Sequence, residues 1–385
     1  MDERHGRQPS DRGRFEDVRT IGVLVASGIG DFVAAVPALR ALRAAYPHAR
    51  IVVLGDVWHP GLLTGRPGPW DDAVPVPRTE GITRLDRDPA GRLKEFVQAH
   101  CGRYDLIVQL QGGGAQSNAV VLSLGARHTV GAWAPGALEL DRCVRYVPGR
   151  PEVLRCLEVV ELAGGRPAPG TRGLVPSLAV TDHDLEQAHD AWPDTVPVVL
   201  VHPGARDARR CWPVERFAEA GVRLSHTFGS RILVVGAEPD RVLAGELTRR
   251  LGANAVDLTG RLSLGGLLGL ARRCLLFVGN DSGPRHLAVA AGAPTLGLFL
   301  PSNVRTFGPL VGARDRVVAS RTVGCPTCGR TEDCDHLVSW LEDVSVDEVV
   351  DTCEELVEDA GRLLPVGGAA ESEPSSAPRV TGWAS

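Results

Sequence analysis

The chain is poor in several things at once. Lys94 is its sole lysine among 42 basic residues, and it has one methionine, three tyrosines and 5% aromatic residues. Arginine in place of lysine, with frequent Ala, Gly and Pro, reflects coding-DNA composition rather than a function. A net charge of −5 provides no overall basic field for nucleic acid or anionic lipid. No apolar run reaches the length of about 18 residues that a transmembrane helix needs. Met1 to Asp17 lacks the apolar core of a signal peptide, so a cytoplasmic location is expected, with at most peripheral membrane contact. Nine cysteines in 385 residues are too sparse for a disulfide scaffold.

What is present is ordinary for a soluble globular chain, 43% hydrophobic and 23% charged residues, and the length suggests two domains. Thr20 to Ala26 reads as a buried strand, followed by Ser27-Gly28-Ile29-Gly30-Asp31 and a helix over about 32–45. Ile51 to Leu54 supplies the next strand, and His59 to Pro89 reads as irregular loops. Leu106–Leu110 is a further strand and Pro151–Leu162 a helix. The Pro/Gly-rich stretch Gly164–Pro176 serves as a linker. From Val196 onwards, strands and helices alternate again, which argues for a second parallel sheet covered by helices. The reading is thus an α/β chain of two Rossmann-like βαβ domains, residues 18–175 and 176–364. A loose N-terminus, 1–17, and a Ser/Pro/Gly-rich disordered tail, 365–385, flank them.

Three stretches carry chemistry. Leu275 to Asn280 is a strand running into Asp281-Ser282-Gly283-Pro284, where Asp281 or Ser282 can cap a helix ended by Gly292. Free N–H groups at such a helix start suit a phosphate. The plain alternative is an ordinary βα turn. The turn Gly28-Ile29-Gly30 fails as a dinucleotide fingerprint at Val33, although Asp56 stands where a ribose-binding acid might. The glycines leave room for a bulky ligand, and Asp31 at the helix start is either a general base aimed into a cleft or simply a cap. His202-Pro203-Gly204-Ala205 leads into Arg206, Arg209 and Arg210, which can present forked donors to a diphosphate.

Taken in order, these stretches resemble the heptosyltransferase family, glycosyltransferase family 9. The resemblance rests on Gly28-x-Gly30-Asp31, Val36-Pro37-Ala38-Leu39-Arg40, His202-Pro203-Gly204-Ala205, Trp212-Pro213-x-x-Arg216-Phe217, Asp257-Leu258-Thr259-Gly260-Arg261 and Gly279-Asn280-Asp281-Ser282-Gly283-Pro284-x-His286. It implies a GT-B fold and inverting, metal-independent transfer of a sugar, heptose from ADP-heptose in the best-known members. No cofactor beyond the nucleotide sugar is implied. Asp31 is then the base. Gly28, Gly30, His202, Gly204, Arg206, Arg210, Asp240, Asn280, Asp281, Ser282, Gly283 and His286 are the expected donor-binding residues. The acceptor stays open among a glycan, a lipid-linked glycan, a protein and a small molecule. Arg210 replaces the family's usual lysine, Asp240 stands where a ribose-contacting Glu is usual, and Arg285 occupies an ordinarily apolar place. No Asp-x-Asp metal clamp is recognisable in context. The rivals are an NAD(P)-dependent oxidoreductase using Gly28-Ile29-Gly30 and a non-catalytic sugar-nucleotide binder.

Cys325, Cys328 and Cys334, with His336 or Cys353, have the donor chemistry of a zinc or iron site. The preferred expectation is a cluster that stabilises the C-terminal region without metal.

Overall fold

Strands buried on both faces dictate the architecture. Ile21, Val23 and Leu24 are fully or almost fully buried, as are Val199 to Val201 and Leu276 to Val278. Apolar strands of this kind need helices on both sides, the environment of a parallel sheet. The computed structural model describes residues 13–77, 79, 82–83, 91–312, 314–331 and 334–362.

The first half runs β1 (Thr20–Leu24), α1 (Ile29–Ala45), β2 (Arg50–Gly55), α2 (His59–Leu63), β3 (Asp72–Pro75), α3 (Arg92–His100), β4 (Leu106–Gln109), α4 (Ser117–Ser123), β5 (His128–Trp133), β6 (Arg142–Arg145) and α5 (Glu152–Glu161). Its sheet has the order β3-β2-β1-β4-β5-β6. The second half runs α6 (Asp182–Ala191), β7 (Val198–His202), α7 (Val214–Phe228), β8 (Arg231–Val234), α8 (Arg241–Leu251), β9 (Ala255–Asp257), α9 (Leu264–Arg273), β10 (Leu276–Asn280), α10 (Gly283–Ala290), β11 (Thr295–Phe299), α11 (Pro301–Phe307), β12 (Asp315–Ala319) and α12 (Val346–Arg362). Its sheet order is β12-β11-β10-β7-β8-β9, the same 3-2-1-4-5-6 winding read from the other edge. Every pairing within both sheets is parallel.

In such a sheet the strand order reverses between the first and fourth strands, and the crevice there takes ligands. The reversal lies between β1 and β4 in one half and between β7 and β10 in the other. The glycine turn after β1, the basic loop after β7 and the helix start after β10 therefore all sit at switch points. α1 packs on α10, so the two switch points face one another.

Several local expectations change. The segment expected to be irregular contains α2 and β3, with Leu62, Leu63 and Trp70 buried. Strand β3 is a four-residue edge ending at Pro75, and an edge tolerates proline. Strands β6 and β12 and helix α11 also went unread. Phe15, inside the stretch expected to be loose, stacks on His128 at 4.2 Å and lies under Arg142. Residues 1–12 of that stretch, and the tail 365–385, lie outside the described residues.

Candidate active site

Helix α1 begins earlier than its apolar periodicity suggests, at Ile29, which places Asp31 in its first turn. The Gly28 N–H donates to Asp31 Oδ2 at 3.0 Å, so the carboxylate does tie down the helix start. Asp31 also lines a cleft of about 480 Å³ between the halves. Cap and cleft-facing acid are therefore both true of it.

The facing wall is built from the ends of β7 and β10. Asn280 is fully buried and serves as a brace: its Oδ1 accepts from the Trp212 N–H at 3.1 Å, and its Nδ2 donates to the Pro203 carbonyl at 2.7 Å. Asn280 and Gly204 do not line the cleft, a correction to their expected place in donor contact. Asn280 instead sets the spacing of the two loops that do. Gly204 makes room, because a Cβ there would stand 2.2 Å from Asp240 Oδ1.

Asp281 is buried, with Oδ1 at 3.1 Å from His286 Nε2 and Oδ2 at 3.0 Å from Arg210 Nη1 and 2.5 Å from Asn303 Nδ2. Burial pushes its carboxyl up, but the bonds from His286 and Asn303 and the charge of Arg210 outweigh that and hold it down at about 2. Its oxygens are spent on protein donors, so it organises Arg210 and His286 at the cleft wall. Ser282, not Asp281, is the N-cap of α10, yet its side chain makes no capping bond. Its Oγ lies 3.0 Å from His202 Nδ1. The first-turn N–H groups of α10 have no intrahelical acceptors, as at any helix start, and Ser282, Gly283 and Pro284 line the cleft.

The expected residues Gly28, Gly30, Asp31, His202, Arg206, Arg210, Asp240, Asp281, Ser282, Gly283 and His286 all border this one cleft. Two readings change in detail. The space at Gly30 is taken by protein, since a Cβ there would stand 2.8 Å from His286 Cδ2. The close approach of the two halves is what requires that glycine. Arg209 does not join the cleft; it clamps Asp207, with Nη2 to Oδ2 at 2.7 Å, and lies over the Trp340 ring. Arg285 likewise turns away, buried against Asp315 and Phe299.

Asp56, Val57, Trp58, Ser263, Leu264 and Phe307 are among the other residues that line it. Asp56, Val57 and Trp58 follow a strand end, the signal that finds them; Phe307 lies on α11, which the sequence did not disclose. Cys325, Cys328, Cys334 and His336 form a separate group whose donor atoms lie within 4.8 Å of one another. Cys353, the other proposed fourth donor, lies on the buried face of α12, in the core. Burial pushes the Cys325 thiol up, but N–H groups of Cys328 and Thr327 and the neighbouring thiols bring it down to about 6.

No helix among the described residues is long and apolar enough to cross a membrane. Known proteins resemble the chain over most of its length. Lipopolysaccharide heptosyltransferase 2 of Escherichia coli (strain K12) is 26% identical over 310 residues, covering 77% of this chain and 86% of that protein. The glycosyltransferase family 9 structure from Veillonella parvula DSM 2008 superposes with a TM-score of 0.73 at 20% identity, over 91% of this chain and all of that one. The E. coli heptosyltransferase WaaC with ADP-2-deoxy-2-fluoro heptose gives a TM-score of 0.61 at 19% identity, covering 88% and 99% of the two chains. The two sheets are thus the halves of a GT-B fold. Residues 93–337 match Glycosyltransferase family 9 (heptosyltransferase), and the chain belongs to that family of glycosyltransferases.

Proposed function

We propose that the chain transfers a heptose from ADP-heptose, with inversion and without a catalytic metal, to a hydroxyl of a lipopolysaccharide-core-type acceptor. The observation that carries this reading is the convergence of Asp31, Arg210 and the start of α10 on one cleft at facing switch points. Residues 18–175 are the acceptor side and 176–364 the donor side. Support for donor and acceptor comes from the relatives: one is a lipopolysaccharide heptosyltransferase, and another holds an ADP-heptose analogue.

In this mechanism Asp31 accepts the proton of the acceptor hydroxyl as its oxygen bonds to the anomeric carbon. The bond from that carbon to the diphosphate oxygen breaks, on the opposite face, through an oxocarbenium-like transition state. Negative charge grows on the departing ADP, where the α10 N–H groups and Arg210 are already oriented. The lipid-linked acceptor calls for a peripheral membrane contact on the cytoplasmic side. Family membership, together with the filling of the Gly30 space by His286, leaves the oxidoreductase reading without support.

Calorimetry with ADP tests the donor side. Binding is expected with no divalent ion added, and strict dependence on magnesium or manganese would contradict the mechanism.

A further inference from the structure

Ser282, His202 and Asp240 form a hydrogen-bonded chain that donor binding alone leaves unexplained. A serine at an N-cap ordinarily accepts from the N–H of the second or third helical residue. Here Pro284 is second and has no N–H, and the Ser282 hydroxyl is directed to His202 Nδ1 at 3.0 Å. The other ring nitrogen, Nε2, faces Asp240 Oδ2 at 3.4 Å, and that oxygen also accepts from the Ala237 N–H at 2.8 Å. His202 is 3% exposed. Gly204 is needed for the arrangement, because a Cβ there would stand 2.2 Å from Asp240 Oδ1 and 3.3 Å from His202 Cε1. Three residues from separate strand ends are thus fitted together with Ser282 at the cleft wall.

We propose that this chain couples binding of the diphosphate donor to protonation of His202, which acts as a positioning residue for the Ser282 hydroxyl. The inference rests on the donor-site reading above. A hydroxyl has one proton. While His202 is neutral with Nε2–H towards Asp240, Nδ1 is an acceptor and takes that proton. Ser282 then offers the cleft oxygen lone pairs, which repel a phosphate oxygen. With His202 doubly protonated, Nδ1–H donates to Ser282 Oγ and the hydroxyl proton turns to the phosphate. Asp240 supports the imidazolium, because the His202 contact and the Ala237 N–H outweigh its burial and hold its carboxyl below the usual range.

The surrounding charges fit a proton that arrives with the donor. Arg206 and Arg210 line the same cleft and oppose another positive charge while it holds no diphosphate. A bound diphosphate offsets them. Asp281 is committed to His286, Arg210 and Asn303, and the Cys211 thiol is pushed up by burial. His286 is the other imidazole in the cleft, so the test separates it from His202.

ADP-heptose is a suitable probe because its diphosphate, esterified at both ends, has no group titrating near neutrality. Calorimetry in buffers of different ionisation enthalpy counts protons taken up. At pH 7.5 the parent is expected to take up about 0.5–0.9 proton per donor. Affinity should weaken by up to about tenfold per pH unit as pH rises, over the same pH values at which uptake is measured. Ser282→Ala and His202→Gln should bring uptake below about 0.1 proton, and His286→Gln should retain it. Far-ultraviolet circular dichroism verifies that each variant is folded; Ser282→Ala alone decides the matter if His202→Gln does not fold. Donor binding by the parent without uptake, or uptake that survives Ser282→Ala, would overturn the proposal while leaving the donor site intact. Absence of donor binding by the parent would overturn the site reading and the proposal with it.

Discussion

Arg210 and Arg216 are near neighbours in sequence and opposite in use. Arg210 reaches across to Asp281 and lines the cleft, whereas Arg216 lies within α7 and donates to the carbonyls of Glu342 and Val344. Arg210→Ala should therefore weaken ADP binding by about tenfold or more, the loss of one charge-assisted contact, and Arg216→Ala by much less. Equal losses would show that neither guanidinium holds the diphosphate. Asp31→Asn separates the two roles of that carboxylate. Asparagine can still accept from the Gly28 N–H, so the helix start should persist with little change in stability. It cannot take a proton from an attacking hydroxyl, and turnover should fall about 10²–10⁴-fold with ADP affinity unchanged. Turnover within a few-fold of the parent would remove Asp31 as base. The residue types at these places were legible, because strand ends and helix starts recur in a fixed order. Their directions were not. Asn280 and Arg209 carry suitable donors, yet they spend them on Pro203 and Asp207, contacts that depend on how the two loops fold back.

The segment that follows the cysteines is the element that holds the arginine loop. The Trp340 N–H donates to the Arg209 carbonyl at 2.9 Å, and Ser339 Oγ to the Cys211 carbonyl at 2.6 Å. Just before it, three thiols and the His336 imidazole converge, a donor set suited to tetrahedral zinc or iron. The sequence left His336 and Cys353 as candidates for the fourth donor, and burial of Cys353 in the core face of α12 decides between them. This convergence favours a structural metal over the metal-free cluster first expected. Elemental analysis of reduced protein should find about one zinc or iron per chain, falling on Cys328→Ser. A content below about one tenth in the parent would leave a cluster of thiols alone. Among the elements, strands buried on both faces could be read from their apolar runs. The edges β3, β6 and β12 could not, since four or five residues half exposed to solvent carry little period.

At the scale of the molecule, the halves are tied by a buried ion pair. Arg66, just beyond α2, forks onto Asp184 of α6 at 2.5 and 2.9 Å, and both side chains are at most 5% exposed. The Asp184 carboxyl also accepts from the Thr181 N–H, and Arg66 donates to the Ala179 carbonyl. Removing one partner strands the other, so Arg66→Ala should cost about 3–5 kcal/mol. Burial raises Asp184, but Arg66 and Thr181 outweigh it and its folded value lies below the ordinary one. Its contribution is therefore full above about pH 4, the unfolded value, and is lost as pH falls through the folded value. The gap in melting temperature between parent and Arg66→Ala should accordingly shrink below about pH 4; a gap independent of pH would show that the pair contributes no linkage. Nothing in the sequence pairs these two residues, because the contact arises only when α6 docks beside α2. The two windings, by contrast, follow from alternating strands and helices, and they set the facing switch points on which the function depends. On this reading both halves act together on one sugar. Its most direct measurement is transfer itself: ADP-heptose and heptose-free lipopolysaccharide core, no divalent ion added, with the product's anomeric configuration read by NMR. A heptosylated product is expected, with its configuration inverted relative to the donor. Retention of configuration, or no transfer to any core acceptor while ADP-heptose binds, would contradict that reading.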